Sequence, residues 1–332
     1  MEPWLILAPS DSAAGNLKAS GVPPRTVSCV GIADLVYRPL APLDDLGTFV
    51  EVMDRGQAAL FEQDPGIFEG WDEIRASEGS RLEALAEQMR TIRGLRVAVG
   101  ESAAERLVLA FAEALLQRVR PDADGVPLQR LDAALVEPEG LGGTPPSPRF
   151  ATDDAWVAVS PEERALLETL WSAAVSDEPT ARNQLVGGDD ANAAIARRLA
   201  HQHPHRRSGL STWDRALLAR LAVRPRSVSD MFGVQTLWGA DLGHPNLLLR
   251  RLRHLARGPE PLIVSTGAAI GFVPPHPDLS LTTRGRAVLA GQATALTLRH
   301  EHRVGGIEVA MADGLWVRDD DDAVVRWTEE GA

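Results

Sequence analysis

Apolar residues along this chain follow two rhythms. In the first 136 residues, short unbroken apolar runs alternate with longer stretches whose apolar positions recur every three or four residues. WLILA (4–8), TVSCVGI (26–32) and LRVAVG (95–100) have strand length, and a strand covered on both faces reads as such a run. Ser10, Asp11 and Ser12 form a helix-start signal after the first run, and SAAGNLKAS (12–20) continues it. Residues 44–64 and 71–92 carry helical periodicity with polar faces, and ESAAERLVLAFAEALLQRV (101–119) predicts a long amphipathic helix. LQRLDAALV (128–136) fits a strand or a helix. This order predicts an α/β domain over residues 1–136, a short parallel sheet with flanking helices.

Residues 137–150, EPEGLGGTPPSPRF, have no periodicity and are rich in Gly and Pro, so a linker is expected there. The chain beyond is mostly helical. In SPEERALLETLWSAAVS, Ser160 is a cap, Pro161 takes the first helical position and Glu163 lies in the first turn. Shorter helices complete a segment over 151–207. Over 208–295, STWDRALLARLAV, SVSDMFGVQ and HPNLLLRRLRHLA predict three helices in quick succession. The strand EPLIVST, a Gly/Pro stretch and LSLTTRGRAVLAGQA follow, an order that resembles a winged helix. Residues 296–332 are expected to end in a β-hairpin made from IEVAMADGLWVR and AVVRW. RDDDDA would be its solvated turn rather than a calcium loop.

Composition adds bounds. With 332 residues, 44% hydrophobic and 24% charged, the chain has the make-up of a folded protein with room for a large core. The single cysteine, Cys29, excludes an intramolecular disulfide framework and a multi-cysteine metal site. It lies in an apolar run, where a small core residue is expected. No apolar run reaches the roughly 18 residues of a membrane span, and MEPWLILAPS lacks the basic start of a signal peptide. A cytoplasmic protein with no membrane partner is expected.

The net charge of −12 disfavours a polyanion at first sight, but it is unevenly spread. Residues 195–257 hold twelve arginines against Asp214, Asp230 and Asp241, a net +9 that leaves −21 for the rest. Such a block either meets nucleic acid or another partner, or packs against acids of its own chain. In HPNLLLRRLRHLA, Arg250, Arg251 and Arg253 could contact phosphates or bases, while Leu247, Leu248, Leu252 and Leu255 pack inward.

The most informative local feature is a repeated junction. LILAPSDSAAGNLKAS and RVAVGESAAERLVLA share an apolar strand, a short turn, acid–Ser–Ala–Ala and a helix. Small residues and a hydroxyl thus sit at a helix N-terminus just beyond a strand, where free N–H groups and the dipole suit an anion. The acids could equally serve as caps. Ser10, Asp11, Ser12, Gly100, Glu101 and Ser102 are the candidate ligand residues, and GxxxxGK and GxGxxG are both absent. Ser12 or Ser102 could also be a nucleophile, with Asp241 and His244 completing a triad on paper, although that DxxH more simply opens a helix. All eight histidines fall between His201 and His302. His201, His203 and His205 are candidate ligands for zinc or nickel, as are His300 and His302, but a structural role fits better. No cofactor is expected.

SDSAAGNLK, VGESAAERLVLAFAEALL, HRRSGLSTWDRALLARLA, NLLLRRLRHLA and LTTRGRAVLAGQATALTL with HRVGGIEV occur in this order. Together they resemble the bacterial family termed domain of unknown function 1835 with its C-terminal companion, over nearly the whole chain. Ser10 precedes Asp11 where relatives have a GDSAAG-like junction. Arg303-Val304-Gly305-Gly306 stands where relatives often have an RWLGG-like block. The resemblance implies an α/β front and a helical back, and no reaction. The leading expectation is a protein binding a small anionic or nucleotide-like ligand at the paired junctions, with a basic helical module for a partner. A serine-dependent hydrolase or transferase and a winged-helix DNA-binding regulator are the alternatives.

Overall fold

The computed structural model describes residues 4–328 apart from 33–34, 36–37, 62–70, 101–102, 121, 137–140, 142, 233–244, 268–269, 272–276, 299, 301 and 313. The first half is built from β1 (Trp4–Ala8), α1 (Asp11–Ala19), β2 (Val27–Cys29), α2 (Leu46–Phe61), α3 (Trp71–Met89), β3 (Gly94–Val97), α4 (Ala103–Val119) and β4 (Leu128–Leu131). The strand β5 (Trp156–Ala158) completes a five-stranded sheet in the order β2-β1-β3-β4-β5. The first four strands are parallel, and β5 runs antiparallel to β4 at the edge. The sheet is mixed and mainly parallel, with helices against it.

WLILA is continuously apolar because both faces of β1 are covered. Leu5 and Leu7 enter the core shared with α3 and α4, while Ile6 and Ala8 enter a second cluster with Ala13, Ala14 and Leu17 of α1. β2 is shorter than its apolar run. Val30 and Ile32 continue beyond it as buried loop residues whose N–H groups bond to the carbonyls of Ala8 and Pro9.

Within the segment expected as a linker, Leu141, Thr144 and Phe150 are buried. Leu141 and Phe150 are buried beside α1, and the Asn16 side chain donates to the carbonyls of Leu141 and Thr144 at 2.8 Å. Thus the segment leading to β5 is held against the sheet by both apolar burial and hydrogen bonds.

The later part contains α5 (Pro161–Val175), α6 (Thr180–Val186), α7 (Ala191–Ala200), α8 (Thr212–Val223), β6 (Arg226–Ser227), α9 (Val228–Phe232), α10 (Pro245–Leu255), β7 (Ile263–Thr266), β8 (Asp278–Leu281) and α11 (Thr283–Leu289). α5 and α7 close over α4, and Leu167, Leu170, Ile195 and Leu199 join the core that holds the sheet. α8, α10, β7, β8 and α11 surround a separate core, with an antiparallel sheet in the order β6-β8-β7. The chain finishes with β9 (Arg303–Val304), β10 (Ile307–Glu308), β11 (Ala310–Met311), β12 (Gly314–Arg318) and β13 (Val324–Trp327). β12 and β13 form the expected hairpin, with β11 on its other side. Among the described residues, no helix is long and apolar enough to cross a membrane.

Candidate functional site

From β1 the chain adds β2 on one side, and from β3 it adds β4 on the other, so the winding reverses between β1 and β3. These two strands are parallel neighbours, with Leu7 opposite Val97. Both strand-to-helix junctions therefore emerge at the same end of the sheet, where a doubly wound fold leaves a crevice. Ser10 caps α1 in an extended conformation, its Oγ accepting from the Ala13 N–H at 3.2 Å. Ala13 and Ala14 are buried and let α1 lie close to the sheet, while Asp11 and Ser12 are exposed in the first turn. Gly100 is buried at the end of the second junction. A Cβ there would come within 3.2 Å of Val136 and 3.3 Å of the Glu105 carboxylate. Glu101 and Ser102 lie outside the described residues.

Two groups join Asp11 that the sequence pattern did not single out for this site. The Cys29 thiol donates to Asp11 Oδ1 at 3.3 Å, and Arg81 of α3 approaches the same oxygen at 3.8 Å. Burial and the Asp11 bond push the thiol up to about 12, so it is a protonated donor and not a nucleophile. Cys29 could be placed near the β1 junction only once β2 was known to pair with β1. Arg81 comes from a helix far away in sequence and carried no local signal.

Asp241 and His244 lie outside the described residues. Among those described, no histidine bonds to Ser12; six of the eight histidines are described, and each is placed in the later part of the chain. In the HQHPH segment the rings diverge. His201 Nε2 meets Asp322 at 3.1 Å and His205 Nε2 meets Asp320 at 3.2 Å, whereas buried His203 bonds through Nδ1 to the Trp316 carbonyl at 3.2 Å. Burial lowers His203 to about 3, so its ring is neutral. Among the described residues, no group of three or more His, Cys, Asp or Glu is arranged to hold a metal. The turn read as solvated is exposed at Asp320 and Asp321 and also carries ion pairs. Asp320 also pairs with Arg207, and Asp322 accepts from Arg318 at 2.7 Å.

The arginines of α10 also differ from expectation. Arg251 is buried, its Nε donating to Asp214 Oδ1 at 2.8 Å and its terminal nitrogen to Oδ2. Arg253 is buried too and donates through Nε to the Ile270 carbonyl at 2.6 Å. Leu248, Leu249, Leu252 and Leu255 are buried, and the helix packs on both α2 and α8. Of the three arginines read as candidate phosphate or base contacts, two are therefore internal, and only Arg250 remains partly accessible. The cause is Asp214 of α8, an acid already fixed by Ser211 in a capping box, which draws Arg251 inward.

In comparisons with known proteins, the chain matches no protein-family model and no curated protein.

Proposed function

We propose that this chain binds a small anionic or nucleotide-like ligand in the crevice at the ends of β1 and β3. The observation that carries the reading is the reversal of strand order between these strands, which are parallel neighbours, so that the start of α1 and Gly100 lie at the same end of the sheet. The Ser10 hydroxyl occupies the Ala13 N–H, leaving the first-turn N–H groups and the Ser12 hydroxyl for an anion, with Arg81 nearby. Asp11 would accept from hydroxyl or amino groups of the same ligand. Under this proposal the chain acts as a binding protein, and Ser12 serves as a hydrogen-bonding group rather than a nucleophile.

Residues 208–295 are best read as a winged-helix-like unit, supported by the order α8-β6-α9-α10-β7-β8 and the sheet order β6-β8-β7. The burial of Arg251 and Arg253 favours a packing role for α10 over groove reading. Membership of the domain of unknown function 1835 family belongs to the same proposal and adds no reaction to it.

The test is a thermal-shift and calorimetric screen of nucleotides and phosphorylated metabolites. A specific ligand at about 100 times its Kd should stabilise the protein by roughly 2.7 kcal/mol. Ser12→Glu places a carboxylate at the same helix start without entering the core, and should abolish that response. No stabilising ligand, or one that Ser12→Glu binds equally well, overturns the reading.

A further inference from the structure

A second recess lies well apart in sequence from the strand ends, between the segment after α7, the start of α8, α10 and the entry to β9. It is open to solvent. Three arginines line it: Arg250, Arg251 and Arg303. Their counter-charges are unequal. Asp214 engages Arg251 through both of its oxygens, and Glu308, itself exposed, accepts from Arg303 at 2.9 Å. Arg250 is partly buried and, among the described residues, has neither a hydrogen bond nor an ion pair. Burial and the adjacent Arg251 lower its guanidinium to about 10. A partly buried cation next to another cation is stabilised when something negative joins it.

The neutral wall of the recess points the same way. His302 lines it, and its buried Nε2 has no hydrogen-bond partner. Ser211 and Gln202 add polar side chains, and the Trp213 ring adds an apolar surface. His302 also packs against His254 and His300, with ring centroids 5.4 to 6.4 Å apart. A trio of imidazoles can attract a metal ion, but here the guanidiniums beside them oppose a cation. Burial first, then Arg251, hold His254 to about 3 and His300 to about 4. The excess charge in this region is positive, so the missing partner is an anion.

We infer that this recess is a binding site for a phosphate group, held by Arg250 with Arg303 and the His302 Nε2–H. The guanidinium fork of Arg250 fits paired phosphate oxygens, and the ring N–H supplies a donor from the other wall. Because the recess is open to solvent, an organic part carried by the phosphoryl group can extend outward past Trp213. Inorganic phosphate and a small phosphate monoester share this chemistry. This site is separate from the crevice at β1 and β3 and stands without it.

Calorimetry and thermal shift on the full chain, at constant ionic strength, would use sodium phosphate, glycerol phosphate, and chloride and acetate as controls. Both phosphates should stabilise the protein where chloride and acetate do not. Tighter binding of glycerol phosphate identifies an ester as the natural form, and tighter binding of inorganic phosphate identifies the free ion. Arg250→Met keeps the apolar stem, should fold normally, and should weaken phosphate binding about 10- to 100-fold. Arg250→Lys should recover part of the loss. Ser12→Glu should leave this response intact, so failure at one site is distinguishable from failure at the other. The inference is overturned if phosphate acts no better than chloride or if Arg250→Met binds phosphate as tightly as the wild type. Stabilisation by zinc or nickel instead of phosphate, lost in His302→Ala, would overturn it too.

Discussion

Asp214 shows how much one side chain can hold in place. Its Oδ2 accepts from the Ser211 N–H and hydroxyl to start α8, and Arg251 from α10 donates to both of its oxygens. Burial alone would raise its pKa, but Arg251, His254 and Ser211 together hold it below the usual range. The pair is internal, so losing one partner strands the other without water. Asp214→Ala should destabilise the protein by about 3–5 kcal/mol, measured by urea unfolding. Replacing both residues, Asp214→Leu with Arg251→Met, should recover most of that loss; a double variant as weak as the single one would refute an unpaired charge as the cause. From the sequence, Asp214 was one of only three acids in a basic block. Its capping spacing from Ser211 was readable, but its partner 37 residues away was not.

At the scale of elements, the caps and apolar runs were the most legible features. Ser10 and Ser160 cap α1 and α5, and Pro161 opens α5, because capping depends only on residues within one turn. The periodicity of residues 101–119 predicts an amphipathic helix, and LVLAFA is an unbroken apolar run within it. All six of its residues, Leu107 to Ala112, are buried, because α5 and α7 cover the side turned away from the sheet. Glu113 is buried on that helix and is matched by Arg164 of α5 at 3.0 Å. The turn from β9 to β10 makes one of the closest approaches between elements. Gly305 has a φ of 57°, and a Cβ on Gly306 would lie 2.0 Å from the Val175 carbonyl oxygen and 2.3 Å from that of Ser176. Those oxygens belong to backbone at the end of α5 and cannot swing aside. Gly306→Ala should therefore cost about 1–3 kcal/mol or more and lower the Tm, and a variant with unchanged Tm would show that the turn can move away.

Across the whole molecule, the charge asymmetry is partly settled internally. Arg207, His201 and His205 meet Asp320 and Asp322 of the terminal hairpin, and Arg251 meets Asp214. The buried histidines also give stability a direction with pH. His203, His254 and His300 are lowered to about 3, 3 and 4, mainly by burial, with Arg182 acting on the first and Arg251 on the other two; Asp214 opposes this at His254 and His300. The unfolded chain binds protons at these histidines near pH 6.5 while the folded chain does not, so their contribution is complete above that pH. It is lost progressively as the pH falls from about 6.5 toward 3. Unfolding free energy should drop by about 1 kcal/mol per histidine between pH 7.5 and 5.5, and His203→Gln should flatten the curve. A flat profile in the wild type would mean that these rings are hydrated.

The sequence by itself determined where strands and helices begin, that the two strand-to-helix junctions are alike, and that the basic charge is concentrated in one stretch. Those properties depend on neighbours a few residues apart and on composition. Only the tertiary structure decided that β1 and β3 are adjacent, that Cys29 and Arg81 join Asp11, and that Arg251 turns inward while Arg250 faces a recess. Each of these depends on pairs distant in sequence, such as His201 with Asp322, 121 residues apart. Burial and charge neutralisation choose among such pairs only when the helices pack, which no local pattern specifies.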